Sequence, residues 1–127
     1  MRREGAGVRR RHHDLEAWQF ALALVKDVYF LSSSFPAAEQ YGLTAQVRRS
    51  AISIPPNIAE GAARNSDREF VHFLGIARGS LSELETQLII ARELGFAQQS
   101  EKIQKSIDSL FGLIGGLINH LKGRNVP

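Results

Sequence analysis

The chain contains no cysteine, which excludes disulfide bonds and thiolate chemistry. It has no apolar run near the roughly 18 residues of a membrane-spanning helix. No apolar segment of the secretory type follows Arg2 and Arg3. A Gly-x-Ser-x-Gly nucleophile motif and a glycine-rich phosphate loop are also lacking. We therefore expect a cytoplasmic protein with no membrane partner and no catalytic nucleophile of these classes.

The length and composition predict one folded domain. A chain of 127 residues, of which 43% are hydrophobic, has enough apolar material for a single core. No stretch alternates apolar and polar residues as a half-buried strand does, whereas four stretches repeat apolar residues at helical spacing. The predicted fold class is all-α. It is an antiparallel up-down-up-down four-helix bundle over residues 14–123, followed by a short tail at 124–127.

Positive charge is concentrated before residue 14. Residues 1–13 contain a single acid, Glu4, and carry a local charge of +4. Their arginines are Arg2, Arg3, Arg9, Arg10 and Arg11. The whole chain carries +3, so residues 14–127 carry −1. This leader is either a phosphate-binding arm or a disordered extension that only adds solubility.

The spacing of apolar residues predicts where the helices begin and end. We expect them at about residues 15–33, 43–63, 67–94 and 98–122. Asp14 is the expected N-cap of the first, Ser66 and Glu69 form a capping box for the third, and Gly95 ends the third. The main apolar stripe of the first helix is predicted to comprise Leu15, Trp18, Leu22, Val25 and Tyr29, and a second set to widen it: Ala21, Leu24, Val28 and Leu31.

Two consecutive prolines interrupt the second helix. Neither Pro55 nor Pro56 can donate a backbone hydrogen bond. Either the helix kinks at this point, or Ser53 caps a second short segment. We expect the hydroxyl groups of Ser50 and Ser53 to occupy part of the hydrogen-bonding space that the prolines free.

A polar stripe also runs along the second helix, and it is the main candidate site. Its members are Arg48, Arg49, Ser53, Asn57, Glu60 and Arg64. Glu60 and Arg64 are four residues apart and are expected to pair. In one interpretation the stripe meets Glu83, Glu85 and Thr86 of the third helix in a buried network that fixes register or assembly. In the other, its arginines face phosphates across a ring surface or channel.

A metal centre and an enzyme are both disfavoured. The pattern from Glu69 to His72 matches the Glu-x-x-His motif of di-iron bundles, but that centre needs a second such motif and two further glutamates. Leu117 stands three residues before His120, the only histidine of the fourth helix. We expect no metal and no cofactor, and keep a metal-dependent oxidase only as a remote alternative. Trp18 lies on an apolar stripe and is expected to pack in the core rather than stack on nucleic-acid bases.

The third helix has more apolar surface than one neighbour requires. Val71, Ile76, Ile89 and Ile90 fall off its main stripe. Gly75, Gly79 and Ser80 add a smooth patch of small residues, and glycines recur in the fourth helix. Such surface is either buried against another subunit or used to complete the monomer core.

Residues 41–88 also carry several recognisable motifs. These are Tyr41-Gly42-Leu43-Thr44, Arg48-Arg49, Ser53-Ile54-Pro55 running into Asn57-Ile58-Ala59-Glu60-Gly61, and Gly79-Ser80 running into Glu83-Leu84-Glu85-Thr86. Together with residues 14–19 they resemble the four-helix-bundle proteins named after intervening sequences in bacterial 23S ribosomal RNA genes. The resemblance covers roughly residues 14–122. It implies a single kinked second helix and assembly into homopentameric rings.

The same family is similar to the accessory variability determinant of diversity-generating retroelements, a basic pentamer that partners a reverse transcriptase and binds nucleic acid. The bundle of this chain is slightly acidic instead. We therefore expect a non-enzymatic, homopentameric scaffold or adaptor for RNA, DNA or a nucleic-acid enzyme. The alternative is a purely protein–protein assembly module with no nucleic-acid role.

Overall fold

The computed structural model describes residues 10–98 and 100–124, which contain four α-helices and no strand. The helices are α1 (Glu16–Ser32), α2 (Leu43–Ala62), α3 (Asp67–Glu93) and α4 (Glu101–Gly123). Short 3-10 turns at Arg11–Asp14 and Ala37–Glu39 precede α1 and α2.

The four helices pack in cyclic order. Each consecutive pair is in contact, and α1 also contacts α4, whereas within the described residues the diagonal pairs α1/α3 and α2/α4 have no Cα atoms within 8 Å of each other. The prediction of an all-α four-helix bundle is therefore confirmed. Its antiparallel sense stays a prediction. The packing order places the face formed by α2 and α3 opposite the face formed by α1 and α4.

One apolar core lies between the helices. Its largest fully buried side chains include Leu24 of α1, Ile54 and Ile58 of α2, Phe70, Leu74, Leu81 and Leu84 of α3, and Ile107, Leu110 and Ile114 of α4. Burial of each such side chain contributes about 1.5–3 kcal/mol relative to exposure. Trp18 is half-buried and packs against this core.

The main stripe predicted for α1 is wrong at Leu22 and Tyr29, which are exposed. Its other members pack partly buried against the core, and Ala21, Leu24 and Val28 of the second predicted set are fully buried. The buried row of this helix consists of Ala17, Ala21, Leu24, Val28 and Ser32. Leu22 of the predicted main stripe is 44% exposed. Both rows have helical period, and the prediction favoured the one with the larger side chains. Alanine carries no bulk beyond Cβ, which lets neighbouring helices pack close to α1.

Two helix starts also differ from the sequence-based expectation. Helix α1 begins at Glu16 with Leu15 as its N-cap and no side-chain cap, because Asp14 already belongs to a 3-10 turn closed by the bond from Leu15 N to His12 O (3.1 Å). Helix α4 begins at Glu101 rather than near Gln98, since the Ser100 hydroxyl accepts a bond from Ile103 N at 3.2 Å.

The start and end of α3 lie where they were predicted, but the capping box forms only in part, because the Glu69 carboxylate accepts from the Ser66 hydroxyl (3.3 Å) and not from the Ser66 backbone. The Ser66 hydroxyl accepts from Glu69 N at 3.2 Å. At the other end Gly95 has a positive φ of 77°. Phe96 N bonds to Ala91 O (2.8 Å) and Gly95 N to Arg92 O (3.0 Å), the pair of bonds that defines a Schellman motif.

Helix α2 continues through Pro55 and Pro56 as one α-helix, so Ser53 does not cap a separate segment. The prolines remove the donors that would reach the carbonyls of Ala51 and Ile52. The Ser53 hydroxyl instead donates to Ser50 O at 2.9 Å. The expected hydroxyl compensation is therefore wrong for Ser53, whose side chain reaches only one turn back to a carbonyl that the prolines do not free. A kink in this helix stays a prediction.

Candidate functional site

Arg48 is occupied by contacts inside the bundle. Its Nε donates to Ser32 Oγ at 2.8 Å, and its Nη2 donates to Tyr29 O at 3.2 Å. The guanidinium carbon also lies 4.6 Å from the centre of the Tyr29 ring. The side chain thus covers the carboxyl end of α1, where backbone carbonyls lack helical donors and a positive charge is favourable.

Arg64 has a similar structural role at the opposite end of α2. Its guanidinium lies 3.1 Å from a Glu60 carboxylate oxygen and 3.6 Å from a Glu69 oxygen. It also lies 4.7 Å from the centre of the Phe73 ring. The structure therefore brings Glu60 and Arg64 together, and adds Glu69 from the first turn of α3. This cluster ties the end of α2 to the start of α3.

In the described part of the chain, the rest of the polar stripe of α2 and its expected partners on α3 do not form a common network. Asn57 Nδ2 donates to the backbone oxygen of Ser53 at 2.8 Å, one turn earlier in α2. Glu85 points toward α4 and accepts a bond from Gln104 Nε2 at 3.0 Å. Thr86 Oγ1 donates to Ser82 O at 2.9 Å, within its own helix. The candidate residues are thus divided among separate local contacts.

Arg49 and Glu83 share a groove between α2 and α3 of about 400 Å³. The lining side chains are Gln46, Arg49, Ser50 and Ser53 from α2, and Ser80, Glu83 and Gln87 from α3. We call this the α2/α3 groove. Buried Ser50 and Ser80 contribute to its lining, while Arg49 and Glu83 are exposed. Gln87 Oε1 is buried and accepts no hydrogen bond from the described residues.

Sequence reasoning named neither Gln46 nor Gln87 of the groove, and it gave Ser50 and Ser80 other roles. A signal for Gln87 was present, since Ser80, Glu83 and Gln87 are spaced three and four residues apart and share one side of a helix. What the spacing does not reveal is which neighbouring helix that side faces.

The basic leader is only partly described. The Arg11 guanidinium lies 4.9 Å from the centre of the Phe70 ring, and the His12 ring meets Trp18 edge-on at 5.0 Å. The ordered packing therefore starts before residue 14. Arg10 is exposed. The predicted phosphate-binding residues Arg2, Arg3 and Arg9 lie outside the described residues. At the other end, Arg124 of the predicted tail pairs with Asp67 at 3.2 Å.

Large apolar side chains are exposed on α1, α2 and α3, and two opposite faces of the bundle are among the places where they occur. Leu22, Tyr29, Ile52 and Ile89 are also exposed. On the α2/α3 face, Ile76 and Ile90 are 41% and 43% exposed, and with Glu83 they are spaced by seven residues along α3. On the α1/α4 face, Phe20 is partly exposed, and Phe30, three residues after Asp27 in α1, is 84% exposed. A hollow of about 510 Å³ next to Phe20 is also lined by Ala23, Lys26, Asp27, Lys102 and Ser106.

The two residues of the Glu-x-x-His motif, Glu69 and His72, make separate contacts. Glu69 takes part in the cap of α3 and in the pair with Arg64. His72 is exposed, with its ring 5.3 Å from that of Phe73. Within residues 10–98 and 100–124, no three His, Asp or Glu side chains converge as metal ligands. None of the helices in these ranges has the length and apolarity to span a membrane.

The match to a known protein family now decides where the chain belongs. The sequence model of the 23S rRNA-intervening sequence protein family matches residues 13–116, which include the whole of α1, α2 and α3 and most of α4. The chain belongs to this family. A comparison with curated proteins gave no match. The resemblance noted from the motifs of residues 41–88 is therefore confirmed at the level of the family.

Proposed function

We propose that this member of the 23S rRNA-intervening sequence protein family is a non-enzymatic scaffold that assembles as a homopentameric ring. The observation that carries the proposal is the exposure of large apolar side chains on two opposite faces of the bundle. A cyclic ring joins each subunit to the next through two different surfaces, one on each side of the subunit. Opposite faces that both bear apolar residues suit such head-to-tail contacts.

Glycines in α3 and α4 support the same proposal. A Cβ atom added at Gly75, Gly79, Gly112 or Gly116 would meet nothing within 4 Å. Each glycine inside a helix costs roughly 0.5–1 kcal/mol relative to alanine. The packing of one bundle therefore does not explain them. Close approach of a helix from a neighbouring copy would.

We assign the nucleic-acid part of the function to the basic leader. In the bundle, Arg48, Arg64 and Arg11 already contact backbone carbonyls, carboxylates or aromatic rings. Residues 14–127 carry −1, so attraction to phosphates has to come from residues 1–13. Five copies of this segment on one ring would multiply the positive field. The partner is RNA, DNA or an enzyme that acts on them.

A purely protein–protein module is the second candidate. It is favoured by the same intramolecular contacts of Arg48 and Arg64, which leave the bundle surface without a basic patch built from the polar stripe. Binding of single-stranded RNA and DNA at two salt concentrations separates the two candidates. Binding that weakens with salt supports the nucleic-acid role. Absence of binding at low salt supports the protein–protein module.

The assembly itself is tested by measuring mass in solution. Light scattering coupled to size-exclusion chromatography should give five times the chain mass of 14.1 kDa. The physical reason is that the apolar area on the two faces is removed from water only in a closed ring. A stable monomer or dimer at micromolar concentration would overturn the ring.

A further inference from the structure

The α2/α3 groove contains polar groups that the bundle leaves without partners. Within the described residues, the side chains of Gln46, Arg49, Ser50, Ser80, Glu83 and Gln87 make no hydrogen bond or ion pair. Among the lining residues, Ser53 alone has one, to Ser50 O. Buried polar groups in proteins are almost always paired, because an unpaired one loses its bonds to water without replacement. Gln87 Oε1 is such an unpaired acceptor.

These groups define what could fill the groove. Buried Gln87 Oε1 lacks a hydrogen-bond donor, while exposed Arg49 can pair with an anion and exposed Glu83 with a cation. The two serine hydroxyls accept either kind of group. Exposed Ile76 and Ile90 lie on the α3 rim, on either side of Glu83. The occupant must therefore present charges of both signs together with apolar side chains, which is the composition of a protein surface.

The opposite face of the same bundle has this composition. Lys26 and Lys102 line the α1/α4 hollow with Asp27, and Lys102, whose side chain is 78% exposed, lies 3.4 Å from half-buried Asp27. An ion pair with one member in water is weak, so Lys102 can exchange partners when a second surface arrives. Phe20 and Phe30 add the apolar part, with Phe30 almost wholly exposed.

We infer that the α2/α3 groove of one copy receives the α1/α4 face of the next copy. In this arrangement a lysine of the α1/α4 face neutralises Glu83, Asp27 accepts from Arg49, and the exposed phenylalanines pack against Ile76 and Ile90. The inference rests on the proposed homo-oligomer and identifies its interface. It also explains why the groove is polar and unpaired within one subunit, since its partners belong to a different subunit.

A mixing experiment tests the pairing of these two faces. A groove variant carries Ile76→Asp and Glu83→Lys, and a face variant carries Phe30→Asp and Lys102→Glu. All four positions are exposed, so both variants should keep the helical circular dichroism of the wild type. Each alone should be a monomer of 14.1 kDa. Mixed in equal amounts, they should form a species of twice that mass. The reason is that the intact face of the groove variant can bind the intact groove of the face variant.

Controls and contrary outcomes separate this inference from the proposed ring. Tyr41→Asp with Leu94→Asp removes exposed apolar side chains in the loops beyond α1 and α3 and should leave the wild-type mass unchanged. If the wild type is a ring and either test variant keeps its mass, the pairing is overturned while the ring stands. If both variants are monomers that do not combine, the two faces do not meet each other. A monomeric wild type would overturn both proposals.

Discussion

Arg48 and Arg49 are neighbours in the chain, but the fold gives them different surroundings. Arg48 is half-buried and donates to Ser32 Oγ and Tyr29 O, whereas Arg49 is exposed in the α2/α3 groove with no described partner. A turn of 100° per residue is enough to send one toward α1 and the other toward α3. Arg48 therefore contacts α1 inside the bundle, whereas Arg49 belongs to the proposed interface.

This difference predicts that alanine substitution lowers the free energy of unfolding at Arg48 and leaves it nearly unchanged at Arg49. Arg48→Ala removes two hydrogen bonds to a charged donor and a ring contact, and should lower the free energy of unfolding by about 1–3 kcal/mol. Arg49→Ala serves as the matched control and should change it by no more than about 0.5 kcal/mol. Urea unfolding, measured at equal protein concentration under conditions that dissociate any assembly, checks both values. If Arg48→Ala lowered the free energy of unfolding no more than Arg49→Ala does, the contacts of Arg48 with α1 would not stabilise the bundle.

At the scale of the helices, the glycines divide into two classes. A Cβ added at Gly61 of α2 would lie 2.9 Å from Phe70 Cδ1 and 2.9 Å from Phe73 Cβ, both on α3. This glycine is needed for the close contact of α2 and α3. Gly79 of α3 has no such neighbour and is exposed. Gly61 is thus required for packing within one bundle, whereas Gly79 leaves room for a contact from outside it.

Alanine substitution should separate these classes by the sign of its effect. Gly61→Ala should destabilise the bundle by about 1–3 kcal/mol, because Phe73 Cβ and the Phe70 backbone oxygen cannot move away cheaply. Gly79→Ala should stabilise the dissociated subunit by about 0.5–1 kcal/mol, since it removes the conformational entropy cost of glycine. Thermal or urea unfolding of dissociated protein measures both. A destabilising Gly79→Ala would mean that the bundle itself requires this glycine.

At the scale of the whole molecule, charge and apolar surface are separated. The bundle beyond residue 13 is slightly negative and exposes apolar side chains on two faces, whereas residues 1–13 carry +4. The proposed assembly and the proposed phosphate binding therefore depend on different segments. Because Arg11 and His12 pack on the bundle, a deletion that keeps these two contacts ends before Arg10.

Deletion of residues 1–9 removes Arg2, Arg3 and Arg9 together with Glu4, and should weaken binding to single-stranded RNA and DNA. The number of subunits in the assembly should stay the same. Binding should weaken because fewer counterions are released when fewer arginines meet phosphates, so the dependence of affinity on salt should also become shallower. Fluorescence anisotropy at low and moderate salt measures both quantities. Unchanged affinity after deletion, combined with its loss in a folded Arg49→Ala variant, would instead move the binding site to the α2/α3 groove.

The sequence by itself determined the number of helices, the cap at Ser66, the end at Gly95 and the family, because these depend on spacing and on local backbone chemistry over a few residues. It did not determine which of two rows in α1 is buried, since Ala17 and Ala21 are selected by the distance to neighbouring helices. Nor did it separate Arg48 from Arg49, or place Glu85 against α4 and Glu83 beside α2. Those outcomes depend on which helices are adjacent, and only tertiary packing decides that, because side chains distant in the chain compete for the same space and the same hydrogen bonds.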